Sequence, residues 1–216
     1  MTTNTKKALI LGAGGQIARW AVDMLGDRDD VVQTLYLRAP AKLGRTPPAN
    51  ARVVQGDVMD AETLKAAMTG QDVVYANLFG DMDAQAEVIV ATMKETGVKK
   101  LIFVTSLGIY DEVPGQFGEW NRREIGSYLP PYRRAADVIE ASGLDYAILR
   151  PAWLTDADET AFETTTRDEP FRGTIVSRKS VAALAVDLIL NLERITALNL
   201  GVNKPNTDGD APDLQG

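Results

Sequence analysis

An α/β fold with a doubly wound parallel sheet and helices on both faces is predicted by three observations. The chain opens as strand, turn and helix: the apolar run Ala8 to Leu11 ends on Gly12, Gly14 and Gly15, and from Gln16 the residues Ile17, Ala21, Val22 and Leu25 take helical spacing. Short apolar runs then alternate with helical patterns along the rest of the chain. Finally, 216 residues, 45% of them hydrophobic and 25% charged, suffice for one sizeable soluble core.

Each part of the opening turn has a physical use. A glycine lets the chain reverse with positive φ. A second lets bare backbone N–H groups approach a pyrophosphate, and a third lets the helix lie close to the strand, although Ala18 stands where that glycine is often found. The helix N-terminus at Gln16 and Ile17 adds partial positive charge. Strand, glycine turn and helix together point to a dinucleotide site.

Composition removes whole classes of chemistry. The chain has neither Cys nor His, so disulfides, thiol nucleophiles, thiolate metal sites and imidazole-based triads are out. No dense carboxylate group argues for a hard-metal site, so no metal is expected. A net charge of −7 argues against a nucleic-acid partner. No apolar run is long enough for a bilayer and no apolar signal region precedes the first strand, so a cytoplasmic location without membrane association is expected.

The remaining elements follow in order. Val32 to Leu37 reads as the second strand, and Arg38 follows it at once. NAD-preferring sites place an acid near this strand end, whereas a 2′-phosphate favours arginine. With Lys42 and Arg45 in the same loop, the pattern favours NADP over NAD. Arg52 to Gln55 is a third strand, closed by Gly56-Asp57-Val58. Asp57 suits either the adenine amino group, with Val58 on the ring, or a plain turn. Asp60 is the expected N-cap of a helix over 61–68, ended by Gly70. Asp72 to Asn77 is the fourth strand, and Ala76, Asn77 and Leu78 are expected under the cofactor at its carboxyl end. Residues 82–96 read as a packed helix stopped by Gly97.

Lys100 to Thr105 is the fifth strand, with Ser106 at its end. A long loop containing Tyr110, Phe117 and Trp120 then precedes the next clear helix. It reads as a lid or substrate wall, or as a surface loop pinned by its aromatics. A helix over 132–142 turns Ala135, Val138 and Ile139 inward, and Gly143 caps it. Asp145 to Leu149 is the sixth strand, followed by Arg150 and then Pro151, Ala152 and Trp153 within reach of a nicotinamide ring. The polar stretch 155–172 is expected as loops over the active face, the small C-terminal substrate-side region. A short strand over 174–176, a helix over 181–192 capped by Ser180 and a strand over 197–201 complete one domain over 1–202. Residues 203–216, rich in Pro, Gly and Asp, are expected to be disordered.

Gly12-Ala-Gly-Gly-Gln-Ile-Ala18, Gly56-Asp57-Val58, Phe103-Val-Thr-Ser106, Tyr132-Arg-Arg-Ala-Ala-Asp137 and Leu149-Arg-Pro-Ala-Trp153 span nearly the whole chain. Together they resemble the atypical short-chain dehydrogenase/reductases, in the NAD(P)H-binding branch with biliverdin-IXβ/flavin reductases and NmrA-like proteins. The resemblance implies a Rossmann-type fold, with Thr105 and Arg133 added to the cofactor contacts. Standard members place a catalytic Tyr four residues before a Lys. Here Arg133 stands where the branch's lysine is expected, Leu129 lies four residues before it, and Tyr132 is followed four residues on by Ala136. Arginine stays protonated and is a poor proton donor, which argues against ketone reduction by the usual relay.

The chemistry left is hydride transfer to a small conjugated acceptor of flavin, quinone or tetrapyrrole type, which spreads the added charge over its own π system. Ser106 and Tyr132, or Tyr110, would orient it. For Ser106 the alternative is a strand-end hydroxyl satisfied by backbone. A non-catalytic NADP-binding sensor fits the missing relay equally well. Sugar-nucleotide epimerisation would need more chain after Trp153.

Overall fold

The computed structural model describes residues 5–214. Its central strand, β1 (Lys6–Leu11), is fully buried from Ala8 to Leu11. Alternation along the strand sends Ala8 and Ile10 to one hydrophobic cluster and Leu9 and Leu11 to the other. A strand buried on both faces needs helices on both, and the sequence supplies them.

α1 (Gln16–Gly26) leads to β2 (Val31–Leu37) and β3 (Ala51–Gln55). α2 (Ala61–Met68), β4 (Val73–Ala76), α3 (Met82–Thr96) and β5 (Lys100–Val104) follow. Next come α4 (Gly115–Ile125), α5 (Leu129–Glu140), β6 (Asp145–Pro151), β7 (Trp153–Thr155) and β8 (Glu163–Thr165). β9 (Ile175–Ser177), α6 (Arg178–Leu190) and β10 (Leu198–Asn203) complete the chain. The main sheet has the order β3-β2-β1-β4-β5-β6-β10-β8, parallel throughout except for β8, which runs against β10. β7 and β9 form a separate parallel pair. The apolar stripes of α1 and α6 cover one face, and those of α2, α3 and α5 the other. The predicted doubly wound Rossmann fold is therefore observed. Strand order reverses between β1 and β4, which opens a crevice at their carboxyl ends.

Several expectations are corrected. The stretch after β5 is not one long loop, because α4 occupies residues 115–125. Its glycines hide a helical stripe in which Phe117 and Asn121 are buried. α5 starts at Leu129, with Pro130 and Pro131 in its first turn, where a missing N–H costs nothing. α6 is capped by Ser177, whose hydroxyl accepts from Ser180 N at 2.9 Å, rather than by Ser180. Asp60 caps α2 as expected. The stretch from 203, expected to be disordered, begins as the end of β10. Thr174 N and Oγ1 donate to Thr207 O at 3.0 and 2.7 Å, and Gly173 N donates to Asp208 Oδ1 at 2.9 Å. Residues 215–216 of that stretch, and residues 1–4 ahead of the first strand, lie outside the described residues.

The substrate side is braced by a buried charge. Arg150 has no solvent exposure and pairs with Glu112, itself nearly buried. The other edge of its guanidinium donates to Asn199 Oδ1 at 2.8 Å and Thr166 O at 3.2 Å. Glu112 in turn accepts from Gly108 N and Tyr110 N at 3.0 and 2.9 Å. One ion pair thus ties the segment after β5 to β6, β10 and the chain beyond β8. Glu112→Ala would leave Arg150 charged, buried and unpaired, and is expected to lower the urea-unfolding free energy by about 3–5 kcal/mol. The double change Glu112→Leu with Arg150→Met is expected to recover part of that loss, measured in the same titration.

Candidate functional site

The site starts from the turn between β1 and α1. Gly12 N and Ala13 N donate to Tyr36 O at 2.9 and 3.3 Å, and Gly15 N donates back to Gly12 O at 2.8 Å. Gly12 has φ +75°, and a Cβ there would sit 2.2 Å from the carbonyl oxygen of Asn77. The turn is thus pressed against the end of β4, an approach no other residue permits. Gly15, the extended N-cap of α1, supplies no side chain to the helix end, and the first turn holds no acidic residue. The positive end of the helix dipole is therefore left for an external anion.

In front of that end lies a crevice of 310 Å³. Gly12, Gly14 and Gly15 form one wall, Leu37, Arg38 and Lys42 a second, Asp57 and Val58 a third, and Asn77, Leu78 and Phe79 the last. Uncapped amides, two cations and an apolar slot are the donor set a dinucleotide phosphate and its adenine require, so the residues fit the cofactor. Gly56 is fitted as closely as Gly12: a Cβ would lie 2.3 Å from the Tyr36 hydroxyl. That hydroxyl donates to Asp57 O at 2.8 Å, which sets the Asp57 backbone at the crevice rim. Burial, then the charges of Asp60 and Asp57, push the Tyr36 phenol up to about 12, so it stays a donor.

The three cations after β2 do not act together. The Arg38 side chain is 76% exposed and faces Asp57 at 3.9 Å, and Lys42 lines the crevice. Arg45 instead pairs with Asp23 and donates to Arg19 O at 3.0 Å on the outer side of α1. Gln16 faces that same outer hollow, so its side chain is not part of the crevice. Ala76, expected under the cofactor, is fully buried in the core, and Asn77 and Leu78 line the crevice in its place.

Asn77, Leu78 and Phe79 also wall a second cavity, of 520 Å³, and so join the two. Ile17, Thr105, Ser106, Tyr132, Pro151, Ala152 and Trp153 line it, as does Arg178, which the sequence reading did not single out. The Thr105 hydroxyl is used by the fold, donating to Leu149 O at 3.2 Å. The Ser106 and Tyr132 hydroxyls have no hydrogen-bond partner among the described residues, and burial alone pushes the Tyr132 phenol above its ordinary value. Trp153 is held by α4: its indole N–H donates to Asn121 Oδ1 at 2.9 Å, and Trp120 meets it edge-on at 4.7 Å.

Two expected residues lie elsewhere. Arg133 pairs with Asp137 at 2.8 Å and covers the Tyr110 ring at 4.5 Å, outside both cavities. The Tyr110 hydroxyl donates to Glu140 at 3.0 Å and accepts from Asn199 at 2.8 Å, so Tyr110 belongs to the bracing network. Among the described residues no group of three acidic side chains could hold a metal ion, and no helix is long and apolar enough to cross a membrane.

A family model described as NAD(P)H-binding matches residues 12–192, which include both cavities' carrying segments. The chain belongs to the NAD(P)H-binding family. A Rossmann-fold NAD(P)-binding family protein from Shigella flexneri is 53% identical, covers 97% of this chain and 98% of its own, and superposes with a TM-score of 0.85. A short-chain dehydrogenase/reductase from Veillonella parvula, solved in complex with NADP, is 27% identical over 96% of this chain and 99% of its own, with a TM-score of 0.87. The uncharacterized sugar epimerase YhfK of Bacillus subtilis is 27% identical over 95% of this chain and 96% of its own length. Membership makes this chain an NAD(P)H-binding Rossmann protein, similar over nearly its whole length to short-chain dehydrogenase/reductases.

Gly12→Ala combines left-handed backbone with a clash against a main-chain oxygen. It is expected to cost at least about 2 kcal/mol in a denaturant titration and to abolish cofactor binding in the folded fraction.

Proposed function

We propose that this protein is an NADPH-dependent reductase of a small conjugated acceptor of flavin, quinone or tetrapyrrole type, working without a Tyr–Lys relay. The observation that carries the reading is the acceptor cavity itself. It opens onto the cofactor crevice through Asn77, Leu78 and Phe79, and its phenol, Tyr132, is raised by burial with Arg133 turned away to Asp137. A relay needs a nearby cation that lowers the tyrosine pKa; the arrangement here works in the opposite direction.

The Gly14 amide and the N-terminus of α1 hold the pyrophosphate, with Gly15 giving it room to approach. Arg38, with Lys42, takes the 2′-phosphate that distinguishes NADP from NAD, while Asp57 and Val58 meet the adenine. Asn77 and Leu78 form the floor, and Thr105, Pro151, Ala152 and Trp153 wall the nicotinamide side. When bound, the reduced nicotinamide supplies a hydride; the acceptor gains it with one proton from water, a two-electron reduction that leaves the oxidised cofactor. The free hydroxyls of Ser106 and Tyr132 orient the acceptor by hydrogen bonds, and Trp153 gives it an aromatic wall. Positioning supplies most of the rate, because a conjugated acceptor disperses the charge that an aliphatic ketone would concentrate on one oxygen.

Binding titrations with NADPH and NADH followed by tryptophan fluorescence test the cofactor half. Arg38→Ala is expected to cut the NADPH preference by about tenfold or more, the loss of a charge-assisted phosphate contact. Anaerobic NADPH oxidation with riboflavin and menadione tests the acceptor half. Turnover is expected, and Tyr132→Phe is expected to lower kcat by less than about tenfold, short of the loss that removal of a general acid brings. Because the chain has no His and the Tyr132 pKa is raised, the phenol stays protonated, and no inflection in kcat is expected between roughly pH 6 and 9. Tight NADPH binding with no reduction of any acceptor would identify a sensor instead.

A further inference from the structure

We infer that Arg178 selects acceptors bearing an oxyanion, a carboxylate or a phosphate, and that Asp156 is the internal carboxylate such an acceptor displaces. The inference rests on the acceptor-reductase reading above and names the class of acceptor within it.

Among the described residues lining the 520 Å³ cavity, Arg178 carries the sole formal charge. The rest of the wall is apolar, hydroxyl or amide. A cation in an otherwise neutral cavity costs desolvation unless something answers it, and from the wall only the distant Leu154 carbonyl does. Arg178 opens α6, directly after β9, and its side chain is 19% exposed, so it is part of the wall rather than a solvated arm.

Its present partners are weak ones. Both recorded hydrogen bonds leave from one terminal nitrogen, Nη1: 2.9 Å to Asp156 Oδ1 and 3.4 Å to Leu154 O. Nε and Nη2 donate to no group among the described residues, so most of a planar fork shaped for a bidentate oxyanion is unused. The Asp156 side chain is 81% exposed and is not part of the cavity lining. A carboxylate so open to water is held loosely and screened by salt. An acceptor seated in the cavity would bring its own oxyanion to the guanidinium from the desolvated side. The exchange replaces one carboxylate by another anion at the same cation, so charge is conserved and no proton moves. In a chain of net charge −7, binding an anionic molecule needs such a local cation.

Matched acceptors test this with the full chain and saturating NADPH. FMN against riboflavin differs by a phosphate; 3-(2-carboxyethyl)menadione against menadione differs by a carboxylate. The ratio of KM for the neutral member to KM for the charged member is the readout. Arg178→Gln is expected to lower that ratio at least about tenfold in one pair or both, and the pair affected identifies the oxyanion. Asp156→Asn, an exposed change that leaves the fold undisturbed, is expected to raise the ratio about threefold or more by removing the competitor. Equal effects of Arg178→Gln on charged and neutral members, or no effect of Asp156→Asn on the ratio, would overturn the inference while leaving the reductase reading intact. If no acceptor is reduced, that reading fails, and calorimetric titration of the NADP-saturated protein with the same four compounds decides the inference. Charge-dependent affinity lost in Arg178→Gln supports it; affinity indifferent to charge overturns it.

Discussion

A guanidinium sealed from water must be answered at every edge, and Arg150 is answered by three different parts of the chain. Glu112 neutralises it, Asn199 and Thr166 take its remaining N–H groups, and the ring of Tyr110 lies 5.5 Å from its centre. Those partners come from the segment after β5, from β10 and from the chain beyond β8. None can shift without stranding a buried charge, so the irregular half of the molecule takes one arrangement. The network reaches outward through Tyr110 and Glu140 to Arg133 and Arg167, which lie over the same ring at 4.5 and 4.4 Å. Arg150 itself does not line the second cavity, but Pro151 and Ala152, which follow it directly, do.

The cofactor side is built differently. There the determining contact is between backbone atoms: the turn at Gly12 rests against the carbonyl of Asn77, while Gly56 lies against the side-chain hydroxyl of Tyr36. Backbone-on-backbone contacts need glycine and little else, which is why the phosphate end of the site is compact and its chemistry generic. The second cavity is assembled from side chains on well-separated segments, among them Ser106 after β5, Tyr132 on α5, Trp153 on β7 and Arg178 on α6. Specificity resides where side chains, rather than main chain, form the wall.

Much of this was legible in the residues themselves. The strand and helix order, the caps at Asp60 and Gly97, and the crevice residues Gly12, Gly14, Gly15, Arg38, Asp57, Val58, Asn77 and Leu78 follow from local pattern and turn chemistry. The misreadings share a cause. α4 was obscured because Gly115 and Gly118 are poor helix formers, and its helix is rescued by packing of Phe117 and Trp120 against the sheet and Trp153. Ser177 and Ser180 are equally good caps on paper, and only the hydrogen bond between them decides which one caps. Arg133, Arg45 and Tyr110 have the right chemistry for a site, but their partners Asp137, Asp23 and Glu140 turn them elsewhere.

From the order of residues alone come the α/β class, the glycine turn between the first strand and helix, and the absence of imidazole and thiol chemistry. These depend on spacing along the chain and on residue type, which need no knowledge of distant neighbours. Which cations face the crevice, which tyrosine hydroxyl is unpaired among the described residues and which is bound into a brace, and that Arg178 enters the second cavity were decided only by the tertiary structure. A side chain's role depends on the partner that reaches it first, and here Arg178 lies far along the chain from Ser106 and Tyr132, so local pattern carries no trace of the meeting.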